Sequence, residues 1–142
     1  MMFRPVLWPI FLLAILLCQC APYRAAWQHG WSNADAEDSI MLVLTDPPSL
    51  GWKRIQQHSA LHPEFHSFLK QIGQPDCLAE SVQADRRYII LYYLEQRRAF
   101  SLRTAARSVS EPMQVSGPYP LTDEEYALLS SFQKKALQGI GR

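Results

Sequence analysis

The chain has few glycines, and none of them lies in a phosphate-binding pattern. Six glycines occur in 142 residues, whereas a nucleotide-binding loop needs several at fixed spacing before a helix. No serine has a histidine and an acidic residue beside it in a recognisable local motif. We therefore expect a protein that is not an enzyme and that needs no cofactor.

A large charge of one sign is also missing. The 14 basic and 13 acidic residues leave a net charge of +1, so a nucleic acid is not an expected partner. The distribution is uneven, however, since residues 86–107 contain six arginines, no lysine and a single acid, Glu95. This hairpin-sized segment is strongly basic although the whole chain is nearly neutral.

Cysteine is rare, and the sequence predicts no internal disulfide. The three cysteines are Cys18, Cys20 and Cys77. Cys77 is the one free thiol left if Cys18 is removed with a leader peptide and Cys20 is acylated. Cys77 follows Asp76, a carboxylate that raises the pKa of a neighbouring thiol. We expect Cys77 to be a small buried residue rather than a nucleophile.

The longest apolar run is short for a membrane span. Residues 5–18 carry no charge and number fourteen, against about 20 for a spanning helix, and they suit the apolar core of a secretory signal. The run ends in Leu17-Cys18-Gln19-Cys20-Ala21, which resembles the lipobox of bacterial lipoproteins with Cys20 as the acylated residue. Gln19 stands where that pattern has a small residue, so an uncleaved anchor and simple secretion remain alternatives. All three place the rest of the chain outside the cytoplasm.

The sequence divides into three parts. Residues 1–20 form the signal peptide or anchor, and residues 21–38 mix small, polar and acidic side chains without a sustained period, which predicts a tether. Residues 39–142 are enough for a single domain with its own hydrophobic core.

Two helices are predicted at the start of this domain. Asp46 can cap a helix that has Pro47 in its first turn and ends near His58. A second helix is predicted for residues 63–72, whose apolar residues recur at i, i+3, i+4 and i+7. Gly73 and Pro75 then stop it.

An antiparallel hairpin follows and is the centre of the predicted fold. Residues 88–94 are all apolar or aromatic, which is typical of a strand covered on both faces. Residues 100–103 alternate, which is typical of a strand with one exposed face. Residues 78–84 and 113–116 predict a first strand and a short edge strand, and residues 117–120 a rigid turn. Residues 39–44 fit either a strand or the start of a helix.

A capping box predicts the last helix. Thr122 and Glu125 can satisfy each other's free backbone amides, and the helix then buries an apolar stripe and ends before Gly139. The stripe comprises Tyr126, Leu129, Phe132 and Ala136. Together the elements predict an α+β fold in two layers, a small antiparallel meander of two to four strands with all helices packed on one face.

These features resemble the small outer-membrane lipoproteins of the SmpA/OmlA (BamE-like) group. The resemblance rests on Cys20, on the helix stop at Gly73-Gln74-Pro75 and on the hairpin of residues 88–102. It implies lipidation at Cys20 and a place in the bacterial cell envelope, facing the periplasm from the outer membrane rather than the inner. It also implies the membrane and another envelope protein as partners, with a role as an assembly accessory.

The arginines of the hairpin are the first candidate binding residues. Guanidinium groups bind phosphate and carboxylate in a bidentate manner, so a basic patch here would bind anionic lipid or an anionic envelope polymer. The alternative is that these charges keep the sheet edge from pairing with another chain. The candidate residues are Arg86, Arg87, Arg97, Arg98 and Arg103.

Histidines are the second candidates. His58, His62 and His66 are spaced four apart, and a His-x3-His pair on one helix can share a metal ion. Because Pro63 interrupts the series, a metal site would use His62 and His66, and solvated or capping histidines are the alternative. The sequence thus predicts a non-enzymatic envelope lipoprotein that acts as an interaction module, with metal binding and anionic-polymer binding as alternative functions.

Overall fold

Residues 40–140, described by a computed structural model, form a five-stranded antiparallel sheet between two helical layers. The leader, Cys20 and the tether predicted for residues 1–38 lie outside the described residues. The strands, in the order β1-β2-β3-β4-β5 across the sheet, are β1 (Ile40–Leu42), β2 (Cys77–Gln83), β3 (Arg86–Tyr93), β4 (Arg98–Ala105) and β5 (Gln114–Pro120). The helices are α1 (Leu50–Leu61), α2 (Pro63–Ile72) and α3 (Asp123–Ile140).

Strand β3 lies at the centre of the sheet. It pairs with β2 on one side and with β4 on the other, and Leu91 faces Leu78 and Phe100 across the two ladders. Successive side chains of a strand point to opposite faces, so Leu91 and Tyr92 contact different layers. Both are buried, with 0% and 3% of their surface exposed. This confirms the prediction that the strand is covered on both faces.

Helices α1 and α2 cover one face of the sheet. Ile55 of α1 and Phe65 of α2 are buried there in one cluster with Leu78 and Ile89. Helix α2 begins at Pro63 and ends at Ile72, the boundaries that the sequence predicts. Burying each such large side chain stabilises the fold by about 1.5–3 kcal/mol. This layer is therefore a main source of stability.

Helix α3 covers the opposite face, where it packs with Ile90 and Tyr92 and buries Leu129. The prediction that all helices pack on one face is therefore wrong, and the domain has three layers instead of two. A central strand that is apolar on both sides leaves a second surface to bury, and α3 supplies the amphipathic stripe for it. Because α3 covers this face, Ser101 of β4 is buried as well, although its strand was predicted to have an exposed side.

The sheet also has five strands where two to four are predicted. The extra strand at one edge is β1, within the segment that fits either strand or helix, and its Met41 lies opposite Leu78 of β2. At the other edge, β5 continues through residues 117–120, so the turn predicted there is wrong. Pro118 and Pro120 are compatible with β5 because an edge strand needs no N–H donors on its outer side.

Helix α1 begins later than the sequence predicts, with Ser49 rather than Asp46 as its N-cap. The Ser49 hydroxyl accepts a hydrogen bond from the N–H of Trp52 at 3.1 Å and donates one to the carbonyl of Leu42 at 2.6 Å. One side chain therefore caps the helix and fastens it to β1. Asp46 instead lies in a turn before a cis peptide bond to Pro47.

The capping box at the start of α3 is confirmed. The N–H of Thr122 donates to Oε2 of Glu125 at 2.7 Å, and the N–H of Glu125 donates to Oγ1 of Thr122 at 3.1 Å. The helix continues to Ile140, so the prediction that it ends before Gly139 is wrong. Within residues 40–140 no helix is both long and apolar enough to cross a membrane.

Candidate functional site

The structure gives most of the candidate arginines a partner inside the chain. Arg86 pairs with the carboxylate of Glu111, and Arg87 with that of Glu80. Nη1 of Arg97 lies 3.0 Å from Oδ1 of Asp123, and its guanidinium stacks over the Tyr126 ring at 4.1 Å from the centroid. Arg103 donates to the side-chain oxygen of Gln114 at 3.0 Å. These contacts link neighbouring elements of the fold.

Arg98 differs from the other four candidates. Its guanidinium lies over the rings of Tyr93 and Phe100, 5.7 and 5.5 Å from their centroids. Its Nε is buried and has no hydrogen-bond partner among the described residues. The aromatic rings therefore hold Arg98 in place without neutralising its charge.

The candidate arginines do not form one patch. Arg86 and Arg87 begin β3, whereas Arg97 and Arg98 lie at its other end, beside the turn that joins β3 to β4. Eight residues of strand separate the two groups by roughly 23 Å. Arg103 lies opposite Tyr88 and so faces the α3 side of the sheet, while Arg87 faces the side of α1 and α2. A single anionic group cannot contact all five.

A buried charge cluster, consisting of Glu80, Arg54, Arg87 and His58, lies between α1 and the sheet. The side chain of Glu80 on β2 is 7% exposed and accepts hydrogen bonds from Nε and Nη2 of Arg54 on α1, at 2.9 and 2.6 Å. Arg87 on β3 donates to the same carboxylate. Nε2 of His58 lies 3.3 Å from Oε1 of Glu80, without a well-aligned hydrogen bond among the described residues. The cluster therefore joins α1, β2 and β3 through one carboxylate.

This environment fixes the protonation state of Glu80. Burial by itself raises the pKa of a carboxyl group, but His58, Arg54 and Arg87 together lower the pKa of Glu80 to about 2. The pKa of the neighbouring His62 is lowered below 6.5 by burial and by the nearby His58. The lower pKa favours the uncharged form of this histidine. Glu80 is thus an anion and His62 is neutral at pH 7.

The two histidines proposed as metal ligands lie in different surroundings. His62 is 4% exposed and stacks on His58, with 6.5 Å between the ring centroids. His66 is exposed, and its Nδ1 lies 2.9 Å from the hydroxyl of Ser59 on α1. Within residues 40–139 no three His, Cys, Asp or Glu side chains are grouped as a metal site would require.

Ser59 and His66 belong to a groove between α1 and α2, which we call the helix groove. The groove is open to solvent on one side and has a volume of about 220 Å³. Its lining consists of three apolar residues, Trp52, Ile55 and Leu69, and five polar ones, Gln56, Ser59, His66, Lys70 and Gln74. A second, more open hollow of about 490 Å³ adjoins it and shares Gln56, Ser59 and His66.

Sequence reasoning missed both the charge cluster and the helix groove. A signal for the groove existed, because Trp52, Ile55, Gln56 and Ser59 recur at i, i+3, i+4 and i+7 and so share one face of α1. No comparable signal in the sequence marked the charge cluster, because a single polar residue such as Glu80 is common within a strand. Whether Glu80 is solvated or paired depends on the helix that packs over it.

Cys77, at the start of β2, is fully buried. Burial raises the pKa of its thiol to about 12, and the carboxylate of Asp76 contributes in the same direction. The thiol therefore stays protonated at neutral pH and packs as a small apolar side chain in the cluster beneath α3.

Comparisons of the chain with protein-family models, with curated proteins and with solved structures find no significant match. The function is therefore inferred from the residues themselves.

Proposed function

We propose that the chain is a membrane-anchored, non-enzymatic interaction module of the bacterial cell envelope, with its domain facing the periplasm. The observation that carries this proposal is the order of its parts. An uncharged run at residues 5–18 leads to Cys20, and a folded domain begins with β1 at Ile40. The intervening residues 21–39 can extend over at most about 65 Å, enough for the domain to reach partners near the membrane.

Three titratable groups of the domain, Glu80, Cys77 and Tyr93, suit a structural role rather than a catalytic one. A general acid or base works best with a pKa near the operating pH, whereas the pKa of Glu80 is held at about 2. A nucleophilic cysteine needs a lowered pKa, whereas that of Cys77 is raised to about 12. Burial also raises the pKa of Tyr93, whose hydroxyl donates to the carbonyl of Gly73. These groups stabilise the fold in one protonation state.

The resemblance to the SmpA/OmlA (BamE-like) lipoproteins supports an outer-membrane location and a protein partner in the envelope. The elements that carry it are Cys20, the stop at residues 73–75 and the β3–β4 hairpin. Helix α3 has no counterpart among them. Metal binding through His62 and His66 and polymer binding through the arginines remain alternatives. The burial of His62 and the placement of the arginines at the two ends of β3 favour neither.

Anchoring is tested by the intact mass of the mature protein from a bacterial membrane. We expect a chain that starts at Cys20 and carries added acyl mass. Cys20→Ser should abolish the added mass, whereas the control Cys18→Ser should keep it because Cys18 is removed with the leader. Protease added to spheroplasts should digest the domain from outside.

Two masses would contradict lipidation. A full-length chain without acyl mass indicates an uncleaved anchor, and a shortened chain without acyl mass indicates simple secretion. A domain that resists external protease in spheroplasts but is digested after lysis would contradict the periplasmic orientation itself.

A further inference from the structure

We propose that the helix groove binds a small monocarboxylate with a flat apolar body, such as an aromatic acid. The proposal specifies a class of ligand for the interaction module described above, and it rests on that proposed function. The inference uses the apolar floor of the groove, the hydrogen-bond donors at its rim, the absence of carboxylates from its lining and its volume.

The floor of the groove is apolar and held in place by the core. Ile55 is 1% exposed, and Trp52 and Leu69 are half-buried and pack against the cluster beneath α1 and α2. Trp52 lines the groove, and aromatic rings attract other aromatic groups in offset or edge-on contact. The body of the ligand would lie against Trp52.

The rim carries groups that suit an anion. Lys70 adds a positive charge one turn after His66 on α2, and both line the groove. The hydroxyl of Ser59 and Nδ1 of His66 are 2.9 Å apart. When Ser59 donates to Nδ1 of His66, Nε2 carries a ring proton and is a donor. A carboxylate that accepts a hydrogen bond from Nε2 would favour this tautomer.

The charge of the groove favours an anionic ligand over a cationic one. Among the residues that the structure describes, no aspartate or glutamate lines the helix groove or the adjoining hollow. Glu80, beneath α1, is already paired with Arg54 and Arg87, so it does not offset the charge of Lys70. The groove therefore presents one lysine and uncharged hydrogen-bonding groups such as Gln56 and Gln74.

The size of the groove limits the ligand. Its volume of about 220 Å³ exceeds the ~150 Å³ that holds a benzene molecule in an engineered protein cavity. It is smaller than the ~300 Å³ at the lower end of pockets for drug-sized molecules. A single ring with a short carboxylate arm fits this range.

Trp52 provides the readout in the protein extracted from membranes in detergent. Replacing Trp8, Trp27 and Trp31 by Phe leaves Trp52 as the single tryptophan. Titration with phenylacetate should change its emission with a Kd on the order of 1 mM, as expected for a ligand of this size. Phenylacetamide has the same shape without the charge and should bind at least about tenfold more weakly.

Two variants locate the charge. Lys70→Met should weaken phenylacetate binding about tenfold, whereas Lys135→Met should leave it unchanged, because Lys135 is exposed on α3, behind the other face of the sheet. Circular dichroism of each variant confirms that the fold is intact. If Lys70→Met loses the fold, Lys70→Gln is used in its place.

Three results would overturn the proposal: no change in Trp52 emission up to about 20 mM phenylacetate, equal binding of phenylacetamide, or equal effects of the two lysine variants. None of them depends on where the protein is located. A failed titration therefore leaves the anchoring proposal standing, and a failed mass test leaves the groove standing.

Discussion

The carboxylate of Glu80 on β2 accepts two hydrogen bonds from the guanidinium of Arg54 on α1, at 2.9 Å from Nε and 2.6 Å from Nη2. Paired bonds of this kind fix orientation as well as distance. Because Arg87 of β3 shares the same carboxylate, the contact positions α1 over two neighbouring strands. The wall of the helix groove formed by α1 therefore depends on an interaction buried underneath it.

Glu80→Gln should destabilise the domain by about 2–4 kcal/mol. The substitution leaves Arg54 and Arg87 near each other without a counter-charge, and breaking a buried ion pair from one side is costly. Both arginines keep some solvent contact, with side chains 30% and 25% exposed, which limits the loss. The free energy of unfolding in urea measures it. Glu95→Gln, at an exposed turn position, is the control and should change stability by less than about 0.5 kcal/mol.

Glu80 should also make stability depend on acidic pH. Its pKa is about 2 in the folded protein, below the ordinary 4.5, so between these values the unfolded chain binds the proton more readily. The stabilisation is therefore complete above about pH 5 and is lost as the pH falls towards 2, by an amount on the order of 3 kcal/mol. We expect the unfolding free energy of the wild type to fall more steeply over this range than that of Glu80→Gln. Parallel curves for the two proteins would contradict the assignment.

Gly51→Ala and Gly139→Ala should have opposite effects although both replace a helical glycine. A Cβ atom at Gly51 would lie 2.4 Å from the carbonyl oxygen of Leu42, whereas at Gly139 it would meet nothing within 4 Å. The first change forces α1 away from β1 and should cost at least about 2 kcal/mol. The second should be neutral or stabilise by up to about 1 kcal/mol, since alanine is the better helix former. Thermal unfolding distinguishes them, and a neutral Gly51→Ala would show that α1 does not approach β1 so closely.

Short-range signals in the sequence determined the elements whose ends depend on neighbouring residues. Pro63 and Gly73 bound α2 because proline suits a first helical turn and glycine tolerates the positive φ of 97° found after its end. Thr122 and Glu125 start α3 because they reach each other's amides within one turn. The unbroken apolar run of β3 likewise marked a strand buried on both faces. Each of these signals acts over a few residues, so it can be read without knowing the fold.

Only the tertiary structure determined which elements pack together and which side chains contact each other. The apolar stripe of α3 has the same sequence whether the helix packs beside α1 and α2 or on the other face of the sheet. Because β3 is apolar on both faces, α3 packs on the face that α1 and α2 leave uncovered. Glu80 and Arg54 are 26 residues apart, and Ser59 meets His66 across two helices. Such pairs depend on strand register and helix docking, which decide whether a polar side chain is solvated, paired or part of a site. The sequence alone determines the elements and their amphipathic faces, because those follow from local hydrogen bonding and side-chain spacing, whereas the charge cluster and the helix groove exist only once those faces have packed.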